Sequence, residues 1–364
     1  MKECRVKDIC IKGSSNLKQK DVEGKKGLYP VYGASGIISS IDTYHQENEY
    51  IAIVKDGSGI GRVSFMPPKS SVIGTMQYIL PKEGYDIRYI GYCLQSLGLN
   101  KYKQGAAIPH IYFRDYGERN IIVTDNINEQ RRIVSYLDSS LKLIDEIKNK
   151  ALKSLTEAKA LFQSALAEAM EPKEGWEYKK IYEVGQVVGG TTPNTNNPNY
   201  WNGDLCWISP AELTGNHYLY DSRKKITQEA VNSKSLKLLP VGTVILSSRA
   251  PIGKVTINKV PTYCNQGFKC VICKNSLYNE YLYWWFYGHT KFLNSLGTGA
   301  TFAEISKKVV ENIIIPIPSI DEQSQIVSHL DKLSSKVRAI EEKYQKMVEE
   351  CDALKQAMLR DVFE

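Results

Sequence analysis

EQRRIVSYLD, residues 129–138, returns as EQSQIVSHLD, residues 322–331, which is 193 positions later counted from Glu129 to Glu322. Further matches lie on both sides of this stretch: Asn120-Ile121-Ile122 and Asn312-Ile313-Ile314, Gly105-Ala106 and Gly299-Ala300, and Ile60-Gly61 and Ile252-Gly253. A repeat with the period of a whole domain indicates a duplicated domain, because solenoid repeats are only about 20–50 residues long. Two related copies in one chain suggest internal two-fold symmetry and a partner with two sites.

The repeated stretch is expected to open a long helix in each copy. Asn126 lies three residues before Glu129, and Ser319 lies three residues before Glu322, which is the spacing of a helix capping box. Apolar residues then recur every three or four positions for about 40 residues, so each helix should be about 60 Å long. In the first copy these positions are Ile133, Leu137, Leu141, Ile144, Ile147, Ala151, Leu155, Ala158, Phe162 and Ala165. In the second copy they are Leu330, Leu333, Val337, Ile340, Tyr344, Met347, Cys351, Leu354 and Met358.

Each of these helices has a single apolar stripe, which must be buried against a partner. The other copy is the nearest partner, and we expect the two helices to pack antiparallel as a coiled coil. Glu171-Pro172-Lys173-Glu174-Gly175 follows the first helix and has the composition of a linker.

The segments before the two helices differ in composition from the helices. They are rich in Tyr, Val, Ile and Gly, with predicted strands at residues 50–54 and 241–246 and predicted short helices at 88–99 and 280–293. We therefore expect an α+β fold with two pseudo-symmetric strand-rich domains joined by two long antiparallel helices. The expected boundaries are a first domain over 1–125, a central helix over 126–172, a second domain over 173–318 and a C-terminal helix over 319–364.

The bulk composition is typical of a folded soluble protein. The 364 residues are 24% charged and 42% hydrophobic, and the net charge of +7 suits a polyanionic partner without requiring one. No apolar run approaches the length of a membrane span, and Met1-Lys2-Glu3-Cys4-Arg5 does not begin a signal peptide. The eight cysteines have no framework spacing. We expect a cytoplasmic protein with reduced thiols and no membrane partner.

Several motifs of the chain resemble those of one known family. The second half contains Gly190-Thr191-Thr192-Pro193, Trp207-Ile208-Ser209, Ser247-Ser248-Arg249-Ala250-Pro251-Ile252-Gly253, Asn265-Gln266-Gly267-Phe268, and Pro316-Ile317-Pro318 ahead of Glu322-Gln323. The first half contains Tyr29-Pro30-Val31-Tyr32-Gly33-Ala34-Ser35-Gly36 and Asp56-Gly57-Ser58-Gly59. In this order the motifs resemble the specificity (S) subunit of type I restriction-modification systems. One departure is that Val123-Thr124-Asp125-Asn126 enters the first helix without the prolines usual in the family.

The resemblance implies a DNA-binding subunit that is not an enzyme and holds no cofactor. Each strand-rich domain would be a target-recognition domain that reads one half of a bipartite, asymmetric site in double-stranded DNA. The helices would set the spacing of the half-sites and dock two copies of an adenine methyltransferase (M) subunit. A translocase/endonuclease (R) subunit would join the complex for cleavage.

Duplex recognition requires cations for phosphates and forked amide or guanidinium groups for base edges. The candidates of the first domain are Lys55, Arg62, Gln77, Lys101, Lys103, Gln104 and Arg114. The candidates of the second domain are Thr191, Thr192, Asn194, Asn196, Asn197, Arg223, Lys224, Lys225, Arg249, Lys254, Asn265 and Gln266. The alternative is that these polar groups satisfy their own loops, and we favour it for the Asn265–Phe268 and Ser247–Arg249 motifs.

Other classes of function have weaker support in the sequence. Gly57-x-Gly59-x-Gly61 lacks dinucleotide spacing, and Gly253-Lys254 is followed by Val255 where a P-loop needs Ser or Thr. Asn197-Pro198-Asn199-Tyr200 lacks the second proline of an adenine-methyltransferase loop, which argues against a self-contained DNA-modifying enzyme. Cys264, Cys270 and Cys273 have no second pair at zinc-finger spacing, so no metal site is expected. A scaffold that binds only protein is a third possibility.

Overall fold

The structure is a computed structural model that describes residues 1–105, 109–299 and 303–363. Ala106 and Ala300, which belong to one of the repeated dipeptides, lie outside the described residues. The chain forms two compact units. The first contains Met1–Ser154 together with Lys343–Glu364, and the second is Leu155–Glu342. Each unit therefore contains a strand-rich domain and segments of both long helices.

The first unit contains nine strands, four short α-helices and one 3-10 helix, Leu99–Tyr102, in its described residues. Its strands are β1 (Lys2–Arg5), β2 (Cys10–Ser14), β3 (Tyr29–Gly33), β4 (Gly36–Ile41), β5 (Tyr50–Val54), β6 (Val63–Met66), β7 (Ser71–Val72), β8 (Met76–Pro81) and β9 (Asn120–Val123). Its short helices are α1 (Val6–Ile9), α2 (Gln19–Val22), α3 (Ile87–Ser96) and α4 (Phe113–Tyr116). The long helix α5 (Ile127–Ala169) begins in this unit.

The second unit follows a similar plan. Its strands are β10 (Glu177–Lys180), β11 (Gly185–Gly189), β12 (Trp201–Ile208), β13 (Tyr218–Leu219), β14 (Lys224–Ile226), β15 (Val244–Ser247), β16 (Val255–Asn258), β17 (Thr262–Cys264), β18 (Phe268–Cys273) and β19 (Ile314–Ile317). Its short helices are α6 (Ile181–Val184), α7 (Gln228–Lys234), α8 (Asn279–Gly288), α9 (Thr290–Ser295) and α10 (Lys307–Glu311). The second long helix is α11 (Ile320–Phe363).

The two units share their sheet topology, which confirms the duplication and the α+β class. In the first unit the main sheet has the order β2-β8-β5-β6, and in the second it has the order β11-β18-β15-β16 with β13 added at the edge. A three-stranded sheet accompanies each, with the orders β4-β3-β7 and β14-β12-β17, and each contains one parallel and one antiparallel pair. A two-stranded ribbon, β1-β9 or β10-β19, leads into each long helix.

Three predicted elements differ from those in the structure. The helix predicted over residues 88–99 ends at Ser96, and a separate 3-10 helix, Leu99–Tyr102, follows Gly98, whose φ is 58°. The strand predicted over residues 241–246 begins only at Val244, because Gly242, with a φ of 88°, belongs to a turn. The helix predicted over residues 280–293 is interrupted at His289, where α8 ends and α9 begins.

The aromatic side chains from Tyr281 to Phe286 are buried in the core of the second unit.

The long helices pack antiparallel within each unit. In the first unit Asp145 of α5 forms an ion pair with Lys355 of α11, and Lys148 lies 2.6 Å from Asp352. Residues later in α5 therefore pair with residues earlier in α11, so the two helices run antiparallel. In the second unit Lys159 and Glu341 form the corresponding pair at 4.0 Å. The prediction that these two helices pack against each other is confirmed.

Not every residue of the predicted seam is buried. Val134, Leu137, Ile144 and Ala151 of α5 are buried in the first unit. By contrast, Ile147 and, on α11, Ile340 and Leu354 are exposed by 42%, 39% and 51%. A helix with 3.6 residues per turn drifts about 20° per heptad from an ideal 3.5-residue repeat, so apolar residues placed every 3.5 positions gradually rotate away from the partner helix.

Among the described residues, no helix has the length and apolar character needed to span a membrane.

The C-terminal end of α11 completes the core of the first unit. Leu359 and Phe363 are 3% and 1% exposed, and the Phe363 ring lies 5.1 Å from the ring of Tyr89 on α3. Burial of an aromatic side chain contributes several kcal/mol to the stability of a domain. The first domain therefore depends on residues more than 200 positions away in the sequence.

The C-terminal end of α5 has the same role in the second unit. Phe162, Leu166 and Met170 are buried, and the Phe162 ring lies 5.7 Å from the ring of Trp284 on α8. Leu166 and Met170 stand 193 positions before Leu359 and Phe363, which is the period of the repeat. The duplication thus includes the residues that close each core.

The repeated glutamine anchors each long helix to the domain before it. Gln130 is fully buried; its side-chain oxygen accepts a hydrogen bond from the backbone N–H of Asp86 at 2.7 Å. Its amide nitrogen donates to the carbonyl oxygens of Gly84 and Thr124 at 3.1 and 2.8 Å. All three backbone groups belong to the turns that flank α3 and α5, so one side chain fixes both turns.

Gln323 makes the equivalent contacts in the second unit. Its oxygen accepts from the N–H of Tyr278 at 2.8 Å, and its nitrogen donates to the carbonyls of Ser276 and Pro318 at 3.1 and 2.9 Å. The final aspartate of the repeat acts in a similar way, because Asp138 accepts from the Tyr92 hydroxyl and Asp331 accepts from the Trp284 indole. The repeated stretch therefore holds each helix to its own domain.

Replacing Gln323 by leucine is expected to lower the free energy of unfolding of the second unit by about 3 kcal/mol. Three hydrogen bonds are lost, one of them buried and two partly buried, and their backbone groups are left without this partner. Urea denaturation followed by tryptophan fluorescence measures this directly, because all five tryptophans lie between residues 155 and 342. Gln325→Leu, at an exposed position on the same helix, is the control and should change stability by less than about 0.5 kcal/mol. Equal effects of both variants would contradict the anchoring role.

Candidate nucleic-acid interface

A basic cleft opens beside the main sheet of the first unit. It has a volume of about 680 Å³ and is lined by Lys7, Lys12, Ser14, Lys55, Asp56, Gln77, Ile111, Tyr112, Phe113, Arg114, Gly117 and Glu118. The edge strand β2 supplies Lys12, the end of β5 supplies Lys55, and the start of α4 supplies Arg114. The structure thus brings together three predicted residues, Lys55, Gln77 and Arg114.

Lys7 and Lys12 also line the cleft but were not among the predicted residues. In the sequence, nothing but their position in the chain distinguishes these two lysines from other exposed lysines. Lys12 and Ser14 alternate along β2, an edge strand, and both are exposed. Such alternation is equally typical of a solvated strand face, so it does not by itself identify a binding residue.

The cleft has an excess of positive charge. Four basic residues face two acidic ones, Asp56 and Glu118. Lys7 lies 2.6 Å from Glu118, and this contact holds the pKa of the Glu118 carboxyl below its ordinary value. Arg114 is largely exposed, with its guanidinium 4.6 Å from the centre of the Tyr112 ring. Among the described residues Lys12 has no ion-pair partner within 4.0 Å, so its charge is available to an anion.

The other candidates of the first domain have different surroundings. Gln77 is only 2% exposed and donates to the Tyr116 hydroxyl at 2.6 Å, so its amide braces the wall of the cleft. Arg62 donates to the carbonyl of Ala34 at 2.7 Å and ties two loops together. Gln104 exchanges two backbone hydrogen bonds with His110, both at 2.8 Å. Lys101 and Lys103 are exposed just before this bridge.

In the second unit the structure brings two of the sequence motifs together. Gly190 passes so close to the end of β17 that a Cβ atom there would lie 2.0 Å from the carbonyl oxygen of Asn265, which only glycine permits. Thr191 donates its N–H to Cys264 at 2.9 Å, and the Thr192 hydroxyl donates to the Gln266 side chain at 2.5 Å. Thr191 and Gln266 are exposed beside each other at this junction.

The asparagines of this surface serve their own turns. The side-chain oxygens of Asn194, Asn197 and Asn265 accept from backbone N–H groups two residues ahead, at 3.0, 3.1 and 2.9 Å. Each of these hydrogen bonds uses one lone pair of the side-chain oxygen and fixes the orientation of the side chain. Asn196 is exposed, and its own N–H donates to Asn194.

Most of the predicted cations of the second domain have partners within the chain. Lys225 forms an ion pair with Asp221, which lowers the pKa of the Asp221 carboxyl to about 2. The guanidinium of Arg249 lies 2.9 Å from Glu304, and Lys254 donates to the carbonyl of Leu213 at 3.0 Å. Arg223 and Lys224 are exposed, with Lys224 5.8 Å from the centre of the Trp201 ring. Of these five cations, Arg223 and Lys224 are therefore the ones most open to a ligand.

Three cysteines of the second domain lie on β17 and β18, which belong to different sheets; Cys264 and Cys270 are buried, and Cys273 is partly buried. The sulfur atoms of Cys264 and Cys270 lie 3.6 Å apart. Burial raises the pKa of the Cys270 thiol well above its usual range and that of Cys273 to about 12. Zinc binds the thiolate form, which these surroundings disfavour. Within the described ranges no three His, Cys, Asp or Glu side chains are grouped so as to hold a metal ion.

The sequence profile described as the type I restriction modification DNA specificity domain matches this chain twice, over residues 1–157 and 173–350. The MjaIX specificity subunit of Methanocaldococcus jannaschii is 43% identical over 163 residues, which are 44% of this chain and 38% of that protein. The EcoR124I/EcoR124II specificity subunit of Escherichia coli is 30% identical over 270 residues, 70% of this chain and 65% of that protein. The matched part is thus less than two thirds of either relative.

Solved structures with the same fold cover nearly the whole chain. A chain from work on complex assembly and conformational transition of the type I R-M system superposes with a TM-score of 0.77 at 19% identity, over 98% of this chain and 96% of that one. The HsdS subunit from Thermoanaerobacter tengcongensis gives a TM-score of 0.54 at 18% identity, over 98% and 95%. At such identities the likeness concerns the fold alone.

Proposed function

Because this chain belongs to the type I restriction-modification DNA specificity family, we propose that it selects the DNA sequence on which such a system acts. The proposal assigns one half of a bipartite, asymmetric duplex site to each recognition domain, residues 1–125 and 173–318. The chain binds and positions DNA, while methyl transfer and ATP-driven cleavage belong to partner subunits.

The observation that carries this proposal is a shared fold with unlike surfaces. In the first unit Asp56 and His110 form an isolated bridge with side chains 2.6 Å apart, and in the second unit Arg249 and Glu304 form the corresponding bridge at 2.9 Å. At matching positions, an acidic residue in the first unit thus corresponds to a basic one in the second, and an imidazole corresponds to a carboxylate. Two readers that differ in this way require two different half-sites, because hydrogen-bond donors and acceptors must match those of the base pairs.

The long helices support the rest of the proposal. Each is continuous over 43 or 44 residues, about 65 Å, which is nearly two turns of B-DNA. We assign to them the spacing of the half-sites and the docking of two adenine methyltransferase (M) subunits. In the first unit α5 leaves Tyr136, Leu143 and Ile147 exposed at intervals of seven and four residues, which is one face of a helix. Such a face suits a protein partner, and a translocase/endonuclease (R) subunit completes the proposed assembly.

Exchanging one recognition domain tests this function. When residues 1–125 are replaced by another recognition domain, mapping of methylated adenines in cells that also express the methylating subunit should show one half of the motif changed and the other retained. The replacement should keep the pocket for Leu359 and Phe363, since both complete the core of the first unit. The reciprocal exchange of residues 173–318 should change only the other half. A motif that is unchanged, or changed in both halves, would refute the assignment.

A further inference from the structure

A second cavity adjoins the basic cleft in the first unit. It also has a volume of about 680 Å³ and is lined by Ser15, Asn16, Leu17, Lys18, Gln19, Gly33, Ala34, Ser35, Ile38, Ile73, Gly74 and Thr75. The border between the two cavities runs across paired strands. Ser14 of β2 and its register partner Gln77 of β8 line the cleft, whereas Ser15 and Thr75 line the second cavity.

The two cavities differ in chemistry. The basic cleft has six charged residues, while the second cavity has one, Lys18. The remaining lining of this neutral cavity consists of aliphatic side chains, glycines, an alanine and uncharged polar side chains. Duplex DNA presents the same two chemistries next to each other, since anionic phosphates flank base edges that combine hydrogen-bonding groups with the thymine methyl.

Two amide side chains of the neutral cavity are free to bind a ligand. Asn16 and Gln19 are exposed, and neither side chain has a hydrogen-bond partner in the described part of the protein. The segment that carries Asn16 is nevertheless held in place. Leu17 donates its N–H to the Ser15 hydroxyl at 3.1 Å and accepts from the N–H of Gly74 at 2.7 Å. An amide on a fixed backbone can make the paired hydrogen bonds that distinguish adenine from other bases.

We propose that these two cavities divide the reading of one half-site, an inference that rests on the proposed function. Lys12 and Arg114 of the basic cleft contact DNA phosphates. Asn16 and Gln19 of the neutral cavity contact base edges in the major groove, where Leu17 and Ile38 accommodate a thymine methyl. Lys12 and Arg114 set the strength of DNA binding, and Asn16 and Gln19 determine part of the DNA sequence that is recognised.

The test is selection from a randomised duplex library by the full chain together with its methylating subunits. Asn16→Ala combined with Gln19→Ala should lose discrimination by about tenfold or more at one or two positions of one half-site, with the other half and the salt dependence unchanged. Lys12→Ala should retain the motif, weaken binding to all sequences and reduce the slope of log K against log salt by about one.

A second variant covers a failure of the double variant to fold. Asn16→Asp leaves only acceptors, so the preferred base at the affected position should shift towards cytosine. Asn149→Ala, at an exposed amide on α5 outside both cavities, should change neither motif nor salt slope. An unaltered motif in both Asn16 variants, or uniform weakening with a smaller salt slope, would overturn the division of roles. If the unmodified complex selected no sequence at all, the proposed function itself would fail.

Discussion

Deletion of residues 148–154 together with residues 346–352 is expected to shorten the gap between the two half-sites by about three base pairs, with both half-site sequences unchanged. Seven residues of helix span about 10 Å, and base pairs are stacked 3.4 Å apart. The change concerns only the distance between the readers, because no residue of the basic cleft or the neutral cavity is removed.

The choice of these segments follows from the helix register in the first unit. Lys148 pairs with Asp352, so residues 148–154 of α5 lie opposite residues 346–352 of α11. Removing a full heptad from both helices keeps the apolar seam in phase, since seven residues are close to two helical turns. The buried residues Ala151 and Cys351 are removed together. Methylated adenines mapped in cells with the variant and its methylating subunit give the new gap.

Two outcomes would separate the explanations for this result. The same deletion made in α5 alone puts the seam out of register and should abolish selective methylation. An unchanged gap in the matched variant would show that the helices do not set the spacing. In that case the exchange of residues 1–125 could still alter one half of the motif, and sequence reading would remain assigned to the domains.

Replacing Phe363 by alanine is expected to lower the free energy of unfolding of the first unit by about 3–5 kcal/mol. The side chain is 1% exposed and packs on Tyr89, so its removal leaves a cavity in the core that α11 closes. Hydrogen exchange measured by mass spectrometry should show faster exchange throughout α3. Because every tryptophan lies between residues 155 and 342, tryptophan fluorescence reports separately on the second unit.

Phe292→Ala is the matched control for this variant. Phe292 lies on α9 in the second unit and is 43% exposed, so its loss should change stability by less than about 1 kcal/mol. Unaltered protection of α3 in Phe363→Ala would show that the end of α11 is dispensable for the first domain. Leu359→Ala, one helical turn earlier and 3% exposed, should then also have no effect on α3.

The candidate site was less accessible to sequence reasoning than the fold. Lys55 and Arg114 were predicted, and the structure places them in one cleft, but Lys7 and Lys12 were missed because a lysine in a one-turn helix or on a short strand looks like any solvated residue. The residue type alone did not show that Arg249 is engaged with Glu304, which lies 55 positions away. Gln77 carried the right chemistry for base recognition, yet its burial directs the amide to Tyr116.

The sequence alone determined the duplication and the two long helices, and the single apolar stripe of each helix predicted that they pair. The helices follow from local patterns, since helical periodicity and capping depend on residues three or four positions apart. Only the tertiary structure decided why the glutamine of the repeat is present in both copies, which helix end closes which core, and which cations keep a free charge. Those properties depend on contacts such as Tyr89 with Phe363, between residues that are distant in the chain and meet only when it folds.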